Sequence, residues 1–461
     1  VKAPEYGLAL CALGLEKVCQ NELERIGLNY EGREAGRVRF SLGAEAEPEK
    51  AAASLMRANL CLRTAERVLI EAGAFPALDF DQLFEGVRAI PWELYLRLED
   101  RLVIERVRIR DSKLASQTAV QSVAHKAIYE RLCSVYKVAR MPETGRERSL
   151  RIYLADDQCL LGLDSSGEAL HRRGYRQATT EAPLKETIAA GVLFLSGWSR
   201  RLPLLDPFCG SGTIAVEAAL YAMDRAPGLG RAFALEDMPL AMGSALGSRG
   251  GLSRGTPSRA LADEVEAAKA RVKRDAEFLI LGSDADPRAL EAARANAARA
   301  GVAAGIEFRQ GKAQDAKASF DKGYLLCNPP YGERLGTVEE SEAIYRELGE
   351  TAGRFKGWGL GFVTNRFDFG DFFGRYAPTA HKIINGAEEQ WFHWYPAGSE
   401  GKPGRRPENR AAAPDKPGSR PSGARGRPDE ASRSSSQARP PRRPWVGPDK
   451  PGWKSKPPRK G

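Results

Sequence analysis

Asp206-Pro207-Phe208-Cys209-Gly210-Ser211-Gly212-Thr213 follows directly on the apolar run Leu202–Leu205 and leads into the helix-forming stretch Ile214–Tyr221. A strand that ends in a glycine turn and passes into a helix is the opening unit of a doubly wound α/β sheet. Glycines there let the main chain approach a ligand, and the helix N-terminus favours a carboxylate or phosphate. Gly210-Ser211-Gly212-Thr213-Ile214-Ala215 also satisfies the dinucleotide pattern G-x-G-x-x-A. That pattern requires a ribose-binding acid about 20 residues further on, whereas the next acid at a strand end, Asp284, lies 72 residues after Gly212. The spacing argues against a dinucleotide fold.

Downstream, apolar runs alternate with helical patterns, as a parallel sheet requires. The expected strands are Glu277–Leu281, Gly305–Arg309, Tyr324–Cys327, Gly359–Thr364 and Gln390–Tyr395. At the end of the first of these stands Leu281-Gly282-Ser283-Asp284-Ala285-Asp286-Pro287. A carboxylate at that point can accept both hydroxyls of an adenosine ribose; it reads equally well as a helix N-cap followed by a first-turn proline. After Tyr324–Cys327 comes Asn328-Pro329-Pro330-Tyr331. Methylating an exocyclic amine requires its lone pair to be drawn out of the base ring. An Asn oxygen and a main-chain carbonyl can accept the two amine hydrogens and favour a tetrahedral nitrogen. Consecutive prolines hold that carbonyl rigidly and leave it unengaged, and an adjacent aromatic ring stacks on a base extruded from its helix. Taken alone, a Pro-Pro turn after a strand is ordinary. Its place after a glycine turn and a strand-end Asp makes the catalytic reading the stronger one.

Upstream, Leu8–Ala12 reads as a strand, followed by a helix with Leu15, Val18, Cys19, Leu23 and Ile26 on one face, and by the alternating strand Arg37–Phe40. Residues 51–61 read as helix, 65–72 and 102–110 as strands, and Ser116–Cys133 as helix. Within Ile104–Arg110, Arg106, Arg108 and Arg110 share one face while Val107 and Ile109 point the other way. Three arginines in register, continued by Lys113 and Lys126, form a candidate phosphate-reading row; an ordinary solvated strand face has the same pattern. A hairpin, Leu150–Leu154 and Cys159–Asp164, turns at Asp156-Asp157, and an amphipathic helix opens near Thr180 with Pro183 in its first turn. The Gly/Ser/Ala-rich residues 238–258 look like an insertion.

The 461 residues carry a formal charge of +10 and are 42% hydrophobic, enough for two or three folded domains. The charge is local. Residues 397–461 hold 17 Lys and Arg against 6 Asp and Glu, leaving 53 against 54 in residues 1–396. With 13 of the 29 prolines and almost no aliphatic residue, that tail is expected to be disordered. Its Arg, Lys, Trp445 and Trp453 suit salt-sensitive contact with RNA, and they suit equally a solubilising linker. Seven scattered cysteines without a CxxC pair, and four histidines, argue against a disulfide framework and a structural metal site. Cys209 and Cys327 are expected to be small buried residues closing adjacent strands. No run approaches the roughly 18–20 apolar residues of a membrane helix, and the first twenty residues lack the features of a secretory signal. A cytoplasmic protein without membrane or metal partner is expected.

In the order DPFCGSG, GSDADP, NPPYGERL, these motifs resemble those of the class I S-adenosylmethionine-dependent methyltransferases that modify exocyclic amines. The chain is most similar to the bacterial large-subunit (23S) ribosomal RNA guanine-N2 methyltransferases that carry an RNA-binding THUMP domain. Leu83-Phe84, Ile90-Pro91-Trp92-Glu93, Ser112-Lys113-Leu114, Ala182-Pro183-Leu184-Lys185-Glu186-Thr187 and Arg225-Ala226-Pro227-Gly228 extend the resemblance over most of residues 5–396. It implies an α/β protein in four parts: a ferredoxin-like unit (1–50), a THUMP domain (51–170), a Rossmann-like methyltransferase domain (171–396) ending in a β-hairpin, and the basic tail (397–461). It implies S-adenosylmethionine as cofactor and ribosomal RNA as partner. By motif, Asp206, Phe208, Gly210 and Gly212 would line the methionine end of the cofactor, and Thr187 would belong to the segment closing over it. Asp284 would hold the ribose, and Asp315 is the candidate near the adenine. Asn328 and Tyr331 would hold and stack the base in a site shaped by Pro329 and Pro330, with Arg334 touching the flipped nucleotide. Three other readings use parts of the same pattern: a tRNA guanine-N2 methyltransferase, a DNA adenine-N6 methyltransferase, and a non-catalytic RNA-binding assembly factor.

Overall fold

The computed structural model describes residues 3–43, 47–176, 184–242, 257–330, 338–399 and 404. The expected tail therefore lies outside the described residues from position 405 onward, as do 243–256 of the expected insertion.

The N-terminal half is built of β1 (Tyr6–Cys11), α1 (Glu16–Arg25), β2 (Tyr30–Glu34), β3 (Arg37–Ser41), α2 (Pro48–Cys61), β4 (Ala65–Pro76), α3 (Phe80–Ala89), β5 (Arg101–Arg110), α4 (Gln117–Tyr136), β6 (Glu147–Ala155) and β7 (Gln158–Asp164). The first six elements make a ferredoxin-like βαββαβ unit. The resemblance implies a separate domain from residue 51; all seven strands form one sheet, ordered β2-β3-β1-β4-β7-β6-β5. The joint is β4. Its first half pairs with β1 and its second half with β7, both antiparallel. Alternation along β4 puts Ala65, Val68 and Ile70 into the large core beneath the helices, while Leu69 joins Leu8 and Leu10 in a small cluster outside that core. The hairpin between β6 and β7 turns at Asp156 and Asp157 with φ of 52° and 58°, the left-handed pair that a two-residue hairpin loop demands.

The C-terminal half comprises α5 (Glu186–Leu195), β8 (Leu204–Asp206), α6 (Thr213–Ala222), α7 (Arg259–Ala270), β9 (Ile280–Asp284), α8 (Pro287–Ala300), β10 (Ile306–Gln310), β11 (Tyr324–Cys327), α9 (Val338–Ala352), β12 (Gly359–Thr364), α10 (Phe369–Phe373), β13 (Thr379–Asn385) and β14 (Glu388–Tyr395). Its sheet runs β10-β9-β8-β11-β12-β14-β13. The first five strands are parallel and β14 is antiparallel to β12. This is a Rossmann-like sheet, with one apolar cluster holding Ile188, Val192, Ile214 and Phe392 and another holding Leu205, Tyr345, Phe362 and Phe369. Successive strands step one way from β8 to β10 and then cross back to β11. The order reverses beside β8, where α/β sheets leave a crevice at their C-terminal edge.

Several boundaries move, two of them near the motifs. β9 starts at Ile280, three residues later than expected, because it pairs from Ile280↔Ile306 to Asp284↔Gln310. That register carries the strand up to the acid at its end. The helix expected to open near Thr180 begins at Glu186, with Lys185 in extended conformation before it, and residues 177–183 lie outside the described set.

The halves are joined closely. Leu13 and Ile384 form an isolated antiparallel bridge between the β1–α1 turn and β13. Gly14, at φ +93°, lies so close to β13 that a Cβ there would stand 2.1 Å from the Lys382 carbonyl oxygen. Arg57 of α2 reaches Glu264 of α7 through Nε at 2.9 Å. Arg63 is buried, and its Nη2 donates to the carbonyls of Leu220 and Arg225 at 3.2 and 2.7 Å.

Candidate functional site

The three motifs follow the C-terminal ends of β8, β9 and β11, which are neighbours in the sheet. Asp206 ends β8 only 1% exposed, and one of its oxygens accepts the Phe208 N–H at 3.2 Å. Gly210 and Gly212 follow at φ +51° and +82°, a conformation open to glycine and costly for other residues. A Cβ at Gly210 would meet nothing within 4 Å, so the turn faces open space there, whereas one at Gly212 would lie 3.0 Å from Ala293 Cβ and 3.2 Å from Phe308. The two glycines serve different ends: one opens the pocket and the other lets α8 and β10 close beneath it.

Asp284 ties β9 to this turn. One oxygen accepts the Gly210 N–H at 2.9 Å, and the other accepts the Asp286 N–H at 3.0 Å. The N-cap of α8 is Asp286, which accepts from Arg288 N, with Pro287 next to it. The helix-cap alternative for Asp284 is thereby removed, since its neighbour performs that task. Burial raises the Asp206 carboxyl to about 8, with the Phe208 N–H pulling it down and the Asp284 carboxylate pushing it further up. A cationic ligand at this turn would draw the proton off Asp206 and pair with its carboxylate.

Asn328 follows β11 directly. It is 9% exposed, and its Oδ1 finds no hydrogen-bond partner among the described residues. An unpartnered buried carbonyl oxygen costs about 1–3 kcal/mol, so the chain holds an acceptor in reserve. Pro329 is buried and Pro330 half-buried. Tyr331 and Arg334 lie outside the described residues. Phe208 is half-buried beside the turn, and Asp315 is exposed in a 3-10 turn spanning Ala313–Asp315. Cys209 and Cys327 are both buried free thiols; burial and the nearby Asp206 carboxylate push each well above the ordinary thiol range.

Thr187 sits elsewhere than on an open wall. It is 1% exposed, and its hydroxyl donates to Glu66 of β4. Glu66 also takes His171 Nδ1 at 2.7 Å. Burial pushes the Glu66 carboxyl up, but the His171 and Thr187 bonds more than offset that and leave it below its usual value. Glu66 thus joins the two halves just behind the crevice. Sequence reasoning passed over it, since a single acid in a strand carries no pattern.

On the N-terminal sheet, Arg106, Arg108 and Arg110 are all exposed along β5, and Val107 is buried on the opposite face. A cleft of about 390 Å³ lies between this edge strand and the start of α4, lined by Arg106, Arg108, Gln117, Thr118 and Gln121. Lys113 and Lys126 are exposed as well, the latter 3.7 Å from Glu130. The THUMP-like residues are structural: Trp92 is fully buried with its indole N–H on the Val87 carbonyl at 2.8 Å, and Glu93 pairs with Arg131 at 2.6 Å. Among the described residues, no group of three His, Cys, Asp or Glu could hold a metal, and no helix is long and apolar enough to cross a membrane.

Strand order, switch point, and the Asp206, Asp284 and Asn328 edge define a Rossmann-like methyltransferase. The chain belongs to the RMKL-like methyltransferase family: that family's methyltransferase domain matches residues 173–389, and the RlmL ferredoxin-like domain matches residues 8–69. It is 36% identical over 391 residues to a Bacillus subtilis (strain 168) protein named "Putative RNA methyltransferase YpsC", covering 84% of this chain and 95% of that one. It is 34% identical over 403 residues to Ribosomal RNA large subunit methyltransferase K/L of Syntrophotalea carbinolica, covering 84% of this chain and 53% of that protein. The chain thus spans about half the length of the K/L relatives it matches. A solved structure titled "a putative methyltransferase complexed with SAH" superimposes with a TM-score of 0.73 at 34% identity, over 86% of this chain and 99% of that one.

S-adenosylmethionine fits these residues. Its positive charges suit a turn bordered by Asp206 and Asp284, the open side of Gly210 leaves room for it, and a strand-end carboxylate with spare lone pairs is available for a ribose.

Proposed function

We propose that the protein transfers a methyl group from S-adenosylmethionine to the exocyclic N2 amine of a guanine in large-subunit ribosomal RNA. The observation that carries this reading is the buried, unpartnered Oδ1 of Asn328 at the end of β11, next to the glycine turn's strand. Such an oxygen accepts one N–H of an incoming amine. The Pro329 carbonyl accepts the other, since the pyrrolidine rings fix that main chain and neither proline has an N–H to compete. Held so, the nitrogen lone pair leaves conjugation with the purine and becomes directional. Bound S-adenosylmethionine supplies an electrophilic methyl group. Asp206 and the open side of the turn at Gly210 hold its charged end, and Asp284 holds its ribose. No side-chain base is required, because the nitrogen becomes cationic on methylation and releases its proton to water.

RNA as substrate is supported by the exposed arginine row of β5 and by the names of the YpsC and K/L relatives. Tyr331 and Arg334, expected against the flipped base, complete the site in this reading. Incubating the full chain and labelled cofactor with unmodified 23S ribosomal RNA, with tRNA, and with DNA tests it. N2-methylguanosine in digested ribosomal RNA is the expected product. Label confined to tRNA would shift the substrate, and N6-methyladenine would overturn the guanine assignment.

A further inference from the structure

We propose that Asn296 and Arg299, two residues of α8 outside every motif discussed so far, are positioning residues for the glycine turn, and that through them the turn is tied to the connector between the two sheets. The proposal rests on reading that turn as the cofactor site. Asn296 is fully buried on a helix face otherwise made of Leu290, Ala293 and Ala297. A lone amide on an apolar face is costly unless it is hydrogen-bonded. Its Nδ2 donates to the Ser211 carbonyl at 2.9 Å, in the middle of the turn. Its Oδ1 accepts Arg299 Nη2 at 2.5 Å, and Arg299 Nε donates to the Tyr175 carbonyl at 2.6 Å.

Tyr175 and Arg176 belong to the connector running from the first sheet to α5. Arg176 grips the far side of the same turn, with Nη2 2.8 Å from Thr213 Oγ1 and 2.9 Å from the Leu184 carbonyl. Its Nε lies 3.1 Å from Glu186 Oε1. The Tyr175 hydroxyl donates to Glu217 of α6 at 3.2 Å. Upstream, Arg173 donates to the carbonyls of Leu170, at 2.6 Å, and of Arg63.

The physical need is clear. Gly210 and Gly212 both lie at positive φ, so this stretch has neither a helix nor a strand ladder to orient its peptides. The Ser211–Gly212 peptide is held on both sides: its N–H donates to the Cys209 carbonyl at 2.7 Å, and its carbonyl accepts from the Asn296 amide. Turning that carbonyl turns the peptide N–H of Gly212 with it, and so breaks the bond to the Cys209 carbonyl at 2.7 Å that closes the turn. Arg299 in turn fixes which way the Asn296 amide points, because only its oxygen can accept from a guanidinium.

Calorimetric binding of S-adenosylhomocysteine to the full chain tests this, alongside melting temperature and steady-state kinetics. Asn296→Ala and Arg299→Ala are each expected to weaken binding about tenfold, and Arg299→Lys about threefold, since an ammonium restores one of two bonds. The KM for RNA should stay unchanged in all three. Leu55→Ala, a cavity in the N-terminal core, should lower the melting temperature but leave ligand affinity intact. If Asn296→Ala merely melts earlier, as Leu55→Ala does, with unaltered affinity, Asn296 is only a packing residue and the proposal falls. Should Asn296→Ala fail to fold, unchanged affinity in Arg299→Lys overturns it instead. A wild-type chain that does not bind S-adenosylhomocysteine would remove the cofactor reading itself, a failure separate from this one.

Discussion

In the proposed reaction, Asn328 would contribute by being unsatisfied. Its buried amide oxygen has no partner among the described residues, which lowers the stability of the free protein, and an incoming amine donor would repair it. Asn328→Ala should reduce kcat by about 100-fold, while S-adenosylhomocysteine affinity changes by less than about twofold by calorimetry; equal losses in both would remove its assigned role. Asp206 behaves differently. Its carboxyl is raised to about 8 in the fold, against about 3.9 in an unfolded chain. Between those values the native state holds the extra proton, so stability attributable to this group is full at low pH and is lost as pH rises through about 8. The melting temperature of the free protein is therefore expected to fall from about pH 5 to about pH 9, and Asp206→Asn should flatten that slope. A wild-type melting temperature that rises over the same interval, with no change of slope in Asp206→Asn, would contradict the raised carboxyl.

At the scale of elements, β5 shows how one extra residue sets an exposed arginine face. Its pairing with β6 slips between Ile104 and Arg106, so Glu105 bulges out and the inward positions pass from Leu102 and Ile104 to Val107. A bulge of this kind changes side-chain parity, and here it leaves Arg106, Arg108 and Arg110 together on the exposed side of an edge strand. If the row reads phosphates, Arg106→Ala and Arg108→Ala should each weaken RNA binding similarly for all sequences and reduce the slope of log affinity against log salt by about 1. Titrations at several salt concentrations would show this, and an unchanged slope would mean an ordinary solvated face.

Over the whole molecule, the two sheets are joined by a β-bridge, buried arginines and the Glu66 contact with Thr187 and His171. The row on β5 and the motif-bearing edge beside β8 are therefore parts of one described body. Gly14 is the tightest point of this junction. Gly14→Ala would add a left-handed residue and a methyl against the Lys382 carbonyl, and is expected to destabilise by at least about 1–3 kcal/mol. Urea denaturation would reveal it as a lower midpoint; an unchanged midpoint would mean the halves separate freely.

By itself, the sequence determined the alternation of strands and helices after Leu202, the acid and glycines at the first strand end, Asp284 at the second and Asn328 at the fourth. These are local patterns: period, turn chemistry and the residue types a strand end needs. It also placed the β6–β7 hairpin at Asp156-Asp157, because that turn depends on two adjacent residues. Only tertiary structure decided that β4 serves two sets of strands, since the choice of pairing edge lies between segments far apart in the chain. Only it separated Asp284, bonded to the glycine turn, from Asp286, the helix cap, and gave the Thr187 hydroxyl to Glu66. The same holds for Asn296, whose partner 85 residues away in the turn is set by how α8 packs. Hydrogen bonds between distant buried groups leave no periodic trace, because each needs one residue at one place and nothing around it has to repeat.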